Sequence, residues 1–337
     1  MPERLEKLSR WLREDLGITE FQIAPASSDA SFRRYFRVRD AYARVPHTRI
    51  VMDAPPAQED CRPFVNIARA FHKLGLNVPQ ILELDLEQGF LLLSDLGVHQ
   101  YLDQLNETSV EKLYGDAFDA LLLLQSRCNE KTINLPPYDH ALLVREMRLF
   151  DEWFVQRHLS VTLTDEQVTA LHQVYELLAQ SALAQPKVCV HRDYHSRNLM
   201  VTEINNPGIL DFQDAVMGPI TYDLVSLLRD CYIAWSPEQV KKWVNLYQQR
   251  AIQEGLLAHD DPAEFMRWFD WMGVQRHLKA IGIFARLNMR DGKPGYLKDI
   301  PRTLGYVVAV SRRYPELAPL QDLLREVVVP RLASVSA

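Results

Sequence analysis

Glycine and cysteine are both scarce in this chain. Its 337 residues include 13 glycines, roughly half the average usage, which disfavours a glycine-rich barrel or a linker protein. The four cysteines lie far apart and form no C-x-x-C pair: Cys61, Cys128, Cys189 and Cys231. We therefore expect neither a metal cage built from thiolates nor a disulfide framework.

Long apolar runs and a basic charge excess are also absent. The run Leu121–Leu124 is far shorter than the roughly 18 to 20 residues that span a bilayer, and the first residues lack the order of a signal peptide. The chain carries 44 acidic and 38 basic side chains, for a formal net charge of −6. This balance argues against nucleic-acid and membrane partners. We expect a monomer in the reducing environment of the cytoplasm.

The apolar pattern changes character once along the chain. A helix is expected over about 3–16 and another over 60–74, and between and after them lie short strand-like segments up to about residue 95. After Leu96-Gly97 the pattern predicts long helices, the first of them over about 109–128, 139–159 and 165–184, and two apolar strands at 187–190 and 208–210 interrupt this helical part. The sequence thus predicts an α+β fold with a small antiparallel-sheet lobe, residues 1–96, and a large mainly helical lobe, residues 97–337.

One segment combines the residues that phosphoryl transfer requires. The pattern H-R-D-x-x-x-x-N spans His191–Asn198 directly after an apolar strand, and Asp211 follows the next apolar strand. In this chemistry one Asp orients the attacking hydroxyl and accepts its proton, while an Asn and a second Asp hold magnesium on the nucleotide phosphates. We therefore predict Asp193 as the catalytic residue, and Asn198 and Asp211 as Mg²⁺ ligands.

These motifs resemble the aminoglycoside phosphotransferase and choline kinase family, whose members are related to protein kinases. Asp211, Asp214, Gly218-Pro219 and Asp223-Leu224 match the second motif of that family. Other segments resemble one branch, the bacterial anomeric sugar kinases of cell-wall recycling: M-D-A-P-P at 52–56, L-L-S-D-L-G at 92–97, L-V-R-E-M at 143–147 and Q-R-H-L-K at 275–279. The resemblance implies a bilobal protein-kinase-like fold, with nucleotide binding in the first lobe and catalysis and substrate binding in the second.

The nucleotide end departs from the family pattern. The third strand, Arg49–Asp53, lacks the lysine that kinases place against the α- and β-phosphates. Arg33, Arg34 or Arg37 are the alternatives for the missing charge. Serine hydroxyls and backbone amides can replace a glycine-rich loop. The predicted ATP-binding residues are Ser27, Ser28, Asp29, Ala30, Ser31 and Arg34, together with Ser94, Asp95 and Leu96 at the lobe connection.

The substrate end is basic within an acidic chain. Residues 267–298 contain seven basic and two acidic side chains, and Trp268 and Trp271 precede Arg276 on the same predicted helix. A tryptophan face can pack on a sugar ring and a basic group can hold a carboxylate. The alternative is a tryptophan core beside a solvated helix face. The predicted substrate-binding residues are Arg145, Glu146, Asp193, His195, Trp271 and Arg276.

Taken together, the residues and the resemblance predict an ATP- and Mg²⁺-dependent phosphotransferase with an alcohol acceptor. The branch resemblance implies phosphorylation of the C1 hydroxyl of N-acetylmuramate or N-acetylglucosamine in peptidoglycan recycling. Two alternatives remain: a kinase of another small hydroxylated substrate, such as an aminoglycoside or a choline-like alcohol, and a catalytically inactive nucleotide sensor. The missing lysine motivates the sensor, whereas the intact set of Asp193, Asn198 and Asp211 argues against it.

Overall fold

The computed structural model divides the chain into two units and describes residues 2–28, 32–40, 48–129 and 131–335. Unit 1 comprises Met1–Gln104 and Leu199–Asp214, and unit 2 comprises Leu105–Asn198 and Ala215–Ala337. Within the described ranges, no helix is both long and apolar enough to cross a membrane.

The strands are short, and most of them belong to unit 1. In chain order they are β1 Phe21–Ser28, β2 Arg34–Asp40, β3 Thr48–Asp53, β4 Ile81–Asp85, β5 Phe90–Ser94, β6 Lys187–Val190, β7 Leu199–Met200, β8 Gly208–Ile209 and β9 Val216–Pro219.

The helices are longest in unit 2. In chain order they are α1 Pro2–Arg10, α2 Arg62–Leu74, α3 Tyr101–Gln104, α4 Val110–Arg127, α5 His140–Leu149, α6 Asp165–Ala184, α7 Tyr222–Leu228, α8 Pro237–Gln253, α9 Pro262–Asp291, α10 Ile300–Ser311, α11 Ala318–Leu323 and α12 Val329–Val335. Three of them continue into or from π-helical turns, at Trp11–Asp15, Phe150–His158 and Leu324–Val328.

A five-stranded antiparallel sheet in the order β1-β2-β3-β5-β4 forms the centre of unit 1. One face of the sheet is covered by α1 and its π-helical turn, whose Leu8 and Trp11 are buried against Val38 and Val51. Successive side chains of a strand point to opposite faces. The face of β2 that carries Val38 therefore meets α1, and the face that carries Arg37 lies on the other side of the sheet.

Unit 2 is built around α9, a helix of 30 residues. It begins where Asp261 accepts the backbone N–H groups of Ala263 and Glu264, and it ends at Gly292, whose left-handed φ of 64° suits glycine. Between Phe269 and Lys279 every residue of α9 is buried. A helix that is buried on all sides has no solvated face, so the charged side chains in this stretch must find partners inside the protein.

The predicted α+β class, with a small antiparallel sheet and a mainly helical second part, is confirmed. The predicted helices over 60–74, 109–128 and 165–184 agree with α2, α4 and α6. The strands β7 and β9 were not predicted. β9 contains Gly218 and Pro219, residue types that are depleted in strands, and the two residues of β7 directly follow the motif that ends at Asn198. The functional boundary at residue 96 stays a prediction.

Candidate active site

The catalytic loop of unit 2 starts where β6 ends. Val190 pairs with Val216 of β9, and the next residue, His191, is fully buried. Arg192 adopts a φ of 78°, which is unfavourable for a residue with a side chain. The buried carboxylate of Asp223 on α7 accepts the backbone N–H groups of His191 at 2.6 Å and of Arg192 at 3.0 Å. These two hydrogen bonds hold the strained turn that leads to Asp193.

The other end of the loop is held by Asn198 and by Asp230, which follows α7. The side-chain amide nitrogen of Asn198 donates to the backbone oxygen of Asp193 at 3.0 Å, and Asp230 accepts the backbone N–H of Ser196 at 2.9 Å. The predicted catalytic residue and one predicted metal ligand are therefore joined within a single loop. Because the nitrogen of the Asn198 amide faces Asp193, its oxygen is the atom suited to a cation.

Positive charges surround Asp193. Burial alone would raise the pKa of this carboxyl, but four side chains outweigh that effect and hold the pKa below its usual value: Lys279, His195, Arg276 and Arg192. Burial also lowers the pKa of His195, so this side chain adds its positive charge beside Asp193 only at acid pH, whereas the other three are cations at neutral pH. Asp193 is consequently a carboxylate at neutral pH and can accept a hydrogen bond from a hydroxyl group.

Glu146 on α5 organises two of these cations. It forms ion pairs with Arg192 and with Lys279, the latter at 3.1 Å, and it also accepts the hydroxyl of Tyr138. Lys279 in turn donates to the hydroxyl of Tyr222 at 3.0 Å. Although burial alone would raise the pKa of Glu146, the two cations hold it below its usual value. Glu146 thus supports the site from behind, and a direct contact of Glu146 with substrate stays a prediction.

Arg276 differs from the other cations in its partners. It lies one turn of α9 before Lys279 and its side chain is only 5% exposed. Its guanidinium lies 3.8 Å from the thiol of Cys231. Among the residues that the structure describes, no carboxylate oxygen forms an ion pair with its guanidinium. Burial would lower its pKa, but four side chains together raise it above its usual value: Cys231, Tyr222, Asp193 and Asp230.

Asp211 belongs to unit 1 and has a left-handed φ of 63°. It follows β8, and its carboxylate accepts the side-chain amide of Gln213 at 2.7 Å. The next residue, Phe212, is fully buried and packs on Phe64 and Phe71 of α2, with ring centroids 4.9 and 5.9 Å apart. The buried ring anchors this segment to α2 and so fixes the position of Asp211 within unit 1.

Comparison with known proteins agrees with this arrangement of motifs. Residues 22–261 match the profile of the phosphotransferase enzyme family. The chain belongs to this family. Its predicted membership of the group of aminoglycoside phosphotransferases and choline kinases is thereby confirmed, and so is the prediction of a phosphotransferase enzyme.

Individual relatives are similar over almost their full length. The chain is 49% identical to the N-acetylmuramate/N-acetylglucosamine kinase of Pseudomonas putida, with 97% of this chain and 98% of the relative covered. It is 45% identical to the protein of the same name from Neisseria meningitidis serogroup B, with 97% and 96% covered. Among solved structures, the GDP complex of aminoglycoside 2'-phosphotransferase-IIIa has a TM-score of 0.62 at 12% identity, covering 90% of this chain and 98% of that one. This likeness confirms the predicted protein-kinase-like fold.

The phosphotransferase fold places the predicted ATP-binding residues in different surroundings. Arg34 pairs with Asp53, which also binds Arg4 of α1, so Arg34 lies on the face of the sheet that α1 covers. Asp95 pairs with Arg37 at 2.6 Å and accepts the backbone N–H of Gly97 at 2.9 Å. The ATP-binding roles of these residues stay predictions.

The remaining nucleotide-loop residues are only partly described. Ser27 and Ser28 end β1, with their backbones paired to Tyr35 and Arg34. Asp29, Ala30 and Ser31 lie outside the described residues. Ser94 ends β5, and its hydroxyl accepts the backbone N–H of Gln80 at 2.8 Å. Leu96 is half-buried beside Gly208.

Two of the predicted substrate residues lie apart from Arg276. Trp271 is buried and packs against Tyr314 and the guanidinium of Arg267. It precedes Arg276 by five residues, which is about 140° around the helix. Arg145 is exposed on α5, next to the buried Glu146. Their contact with a sugar stays a prediction.

Sequence reasoning did not assign site roles to Lys279, Arg192 or Asp223. The signal for Lys279 was available, because it lies three residues after Arg276 on one helix and therefore on a neighbouring face. For Arg192 the sequence offered no such signal, because an arginine directly after the motif histidine is not diagnostic of a particular role.

Proposed function

We propose that this protein is an ATP-dependent kinase that phosphorylates the C1 hydroxyl of N-acetylmuramate, N-acetylglucosamine or both. The observation that carries the proposal is the loop carboxylate of Asp193, ionised and held among Lys279, Arg276 and Arg192. Relatives at 45 to 49% identity that carry the corresponding name support the choice of substrate.

In the proposed reaction Asp193 orients the sugar. Its carboxylate accepts the hydrogen bond of the C1 hydroxyl and takes the proton as that oxygen attacks the γ-phosphorus and ADP departs. The loop geometry suits this role, because Asp223 and Asn198 fix the backbone on both sides of Asp193. Lys279 and Arg192 add positive charge close to the transferred phosphoryl group. Positioning and charge compensation therefore supply most of the catalysis.

The oxygen donors fit Mg²⁺. Asn198 offers its amide oxygen and Asp211 its carboxylate, and both are hard ligands. In the described part of the chain, no group of three or more His, Cys, Asp and Glu side chains is arranged to hold a metal. A site with few protein ligands is typical of Mg²⁺, which keeps several waters and binds phosphate oxygens. Bound magnesium would neutralise charge on the ATP phosphates.

The burial and charge of Arg276 favour an anionic acceptor substrate. Its guanidinium is buried, close to Asp193, and forms no ion pair with any carboxylate of the described residues. N-acetylmuramate carries a carboxylate that a guanidinium binds well, whereas a polycationic aminoglycoside would be repelled. We include a monomeric state, a cytoplasmic location and the absence of nucleic-acid and membrane partners in the proposal, on the basis of composition alone.

The function is tested by coupled measurement of ADP release with a panel of acceptors and Mg·ATP. We expect release with N-acetylmuramate or N-acetylglucosamine, and a product that no longer reacts with reducing-end reagents. ADP release with aminoglycosides or amino alcohols alone would show that the acceptor is one of these compounds and not an N-acetylated sugar. A rise in melting temperature with Mg·ATP and no turnover with any acceptor would instead identify a nucleotide sensor.

A further inference from the structure

The three arginines around β2 have different partners within unit 1. Arg34 faces α1 and pairs with Asp53, and Arg37 pairs with Asp95 at the end of β5. Arg33 precedes the strand and pairs with Glu59 at 3.2 Å. Arg33 and Arg34 are adjacent in sequence, yet Arg34 lies beneath α1 whereas Arg33 pairs with the segment that leads into α2.

The pair of Arg33 and Glu59 is shielded and well fixed. Their side chains are only 10% and 15% exposed. Glu59 lies in the segment that leads into α2, and it also accepts the backbone N–H of Phe32 at 3.2 Å. This second bond ties the carboxylate to the chain directly before Arg33. The carboxylate of Glu59 is therefore held next to Arg33 and orients its guanidinium.

Arg33 also lies within electrostatic reach of the segment that follows β8. Burial would lower the pKa of Arg33, but Tyr35, Glu59, Asp211 and Asp214 together raise it above its usual value. Asp211 is the proposed magnesium ligand of unit 1. A nucleotide whose metal is held there must have its phosphates beside this carboxylate. A cation oriented by Glu59 and close to Asp211 consequently lies where those phosphates would be.

The third strand offers no such cation, because its one arginine, Arg49, lies on the same face as Val51, which packs on α1. In β3 the side chain of Met52 is fully buried and Asp53 is occupied by Arg4 and Arg34. Arg33, by contrast, pairs with neither Asp53 nor Asp95 but with Glu59, and Asp211 is among the carboxylates that raise its pKa. Lysine and arginine both serve phosphates, and arginine adds a planar fork that can bind two oxygens.

We propose that Arg33, oriented by Glu59, binds the phosphates of ATP in place of the lysine that the third strand lacks. This inference rests on the proposed kinase function and deepens it at the nucleotide end. It assigns to Glu59 the role of a positioning residue, which acts through Arg33 and makes no contact with the nucleotide itself.

The test compares phosphate-dependent binding in a protein that does not turn over. In the background of Asp193→Asn, the affinities for Mg·ATP and for adenosine are measured by calorimetry. Adenosine lacks phosphates, so the ratio of the two affinities isolates the phosphate contribution from any loss of folded protein. We expect Arg33→Met to reduce this ratio about 10- to 100-fold. Arg33→Lys should retain part of it, because the charge remains.

Two further variants sharpen the result. Arg39→Met removes an exposed arginine from β2 and should leave the ratio unchanged. Glu59→Gln keeps the size of the side chain and removes its charge, and we expect a smaller reduction than for Arg33→Met. An unchanged ratio in Arg33→Met would overturn the inference, and so would a loss confined to Arg34→Met.

The inference about Arg33 and the proposed kinase function can fail independently of each other. If the wild-type protein phosphorylates sugars while Arg33→Met keeps the full ratio, the kinase stands and Arg33 is not its phosphate-binding cation. If the wild-type protein releases no ADP with any acceptor, the proposed function fails. Loss of the ratio in Arg33→Met would then still identify Arg33 as the phosphate-binding group of a nucleotide sensor.

Discussion

The two units arrange their buried charges in different ways. In unit 1 Arg33, Arg34 and Arg37 each pair with a carboxylate of their own, Glu59, Asp53 and Asp95, and among the described residues only Asp53 of these three binds a second cation, Arg4. In unit 2 single carboxylates serve several donors. Glu146 accepts from a tyrosine and two cations, and Asp223 accepts two backbone amides.

This difference has a consequence for substitutions. Separate ion pairs are coupled only weakly to one another. A shared network contributes more to the free energy of unfolding than the sum of its single contacts suggests. A change in the β2 region should therefore affect one role at a time. A change in the unit 2 network should alter the loop, its charge and its stability together, unless it removes only the reacting group.

The largest effect should come from the one unit 2 residue whose removal leaves the network intact. We expect Asp193→Asn to reduce kcat by about 10²- to 10⁴-fold, because the hydroxyl loses its proton acceptor. The free energy of unfolding should change little, since Asp223 and Asp230 hold the loop through its backbone. Steady-state kinetics and chemical denaturation measure the two quantities. Near-wild-type kcat would remove Asp193 from the reaction.

The catalytic loop was predictable because its information is local. The spacing from Asp193 to Asn198 lies within one turn-rich segment, and the structure joins the two by a hydrogen bond. The partnership of Glu146 with Lys279 was not predictable. These residues are 133 positions apart, and only the packing of α5 against α9 brings them together.

Two other positions show what periodicity does not decide. The spacing of Trp271 on a helix suggested a sugar platform, but α9 is buried on all sides there, so spacing alone does not tell which neighbour a side chain meets. The choice among Arg33, Arg34 and Arg37 depends on where β2 begins. A shift of one residue exchanges the two faces of a strand, and sequence patterns locate strand ends less accurately than that.

The next effect tests the shared carboxylate of the loop. Asp223→Ala should lower the free energy of unfolding by about 2 to 6 kcal/mol, because two buried amides lose their acceptor. Burial raises the pKa of this carboxyl to about 7, so part of the wild-type population carries it neutral near neutral pH. Asp223→Asn retains an acceptor oxygen and should lose less.

A surface pair provides the matched control for Asp223→Ala. Lys242 and Glu111 are both exposed in unit 2 and lie 3.0 Å apart. Lys242→Gln should cost less than about 1 kcal/mol. Chemical denaturation of the three variants gives the comparison, and equal losses in Asp223→Ala and Lys242→Gln would contradict a structural role for Asp223.

Arg276 fits neither arrangement, since it is buried and close to Asp193 but lacks an ion pair among the described residues. If it holds the carboxylate of N-acetylmuramate, Arg276→Gln should reduce kcat/KM for that sugar about 10- to 100-fold. N-acetylglucosamine lacks the carboxylate and serves as the internal control, so its kcat/KM should fall much less. Equal losses for the two sugars would show that Arg276 supports Asp193 rather than the acceptor.

The smallest effect concerns the pH dependence of the loop. Asp193 must be ionised to accept a proton, so activity is lost as the pH falls through its folded-state pKa, which nearby cations hold below the usual value. Lys279 is the largest of these contributions, so Lys279→Met should raise that pKa and move the acid limb of kcat/KM to higher pH, by about one unit or less. Lys298→Met removes an exposed lysine of the same basic segment and should leave the acid limb in place.

A shared network predicts that the shift in Lys279→Met is accompanied by reduced stability, because Glu146 then keeps only one cation. An acid limb that moves without any loss of stability would show that Lys279 acts on Asp193 as a separate charge. The two units would then differ in where their charges lie and not in how strongly those charges are coupled.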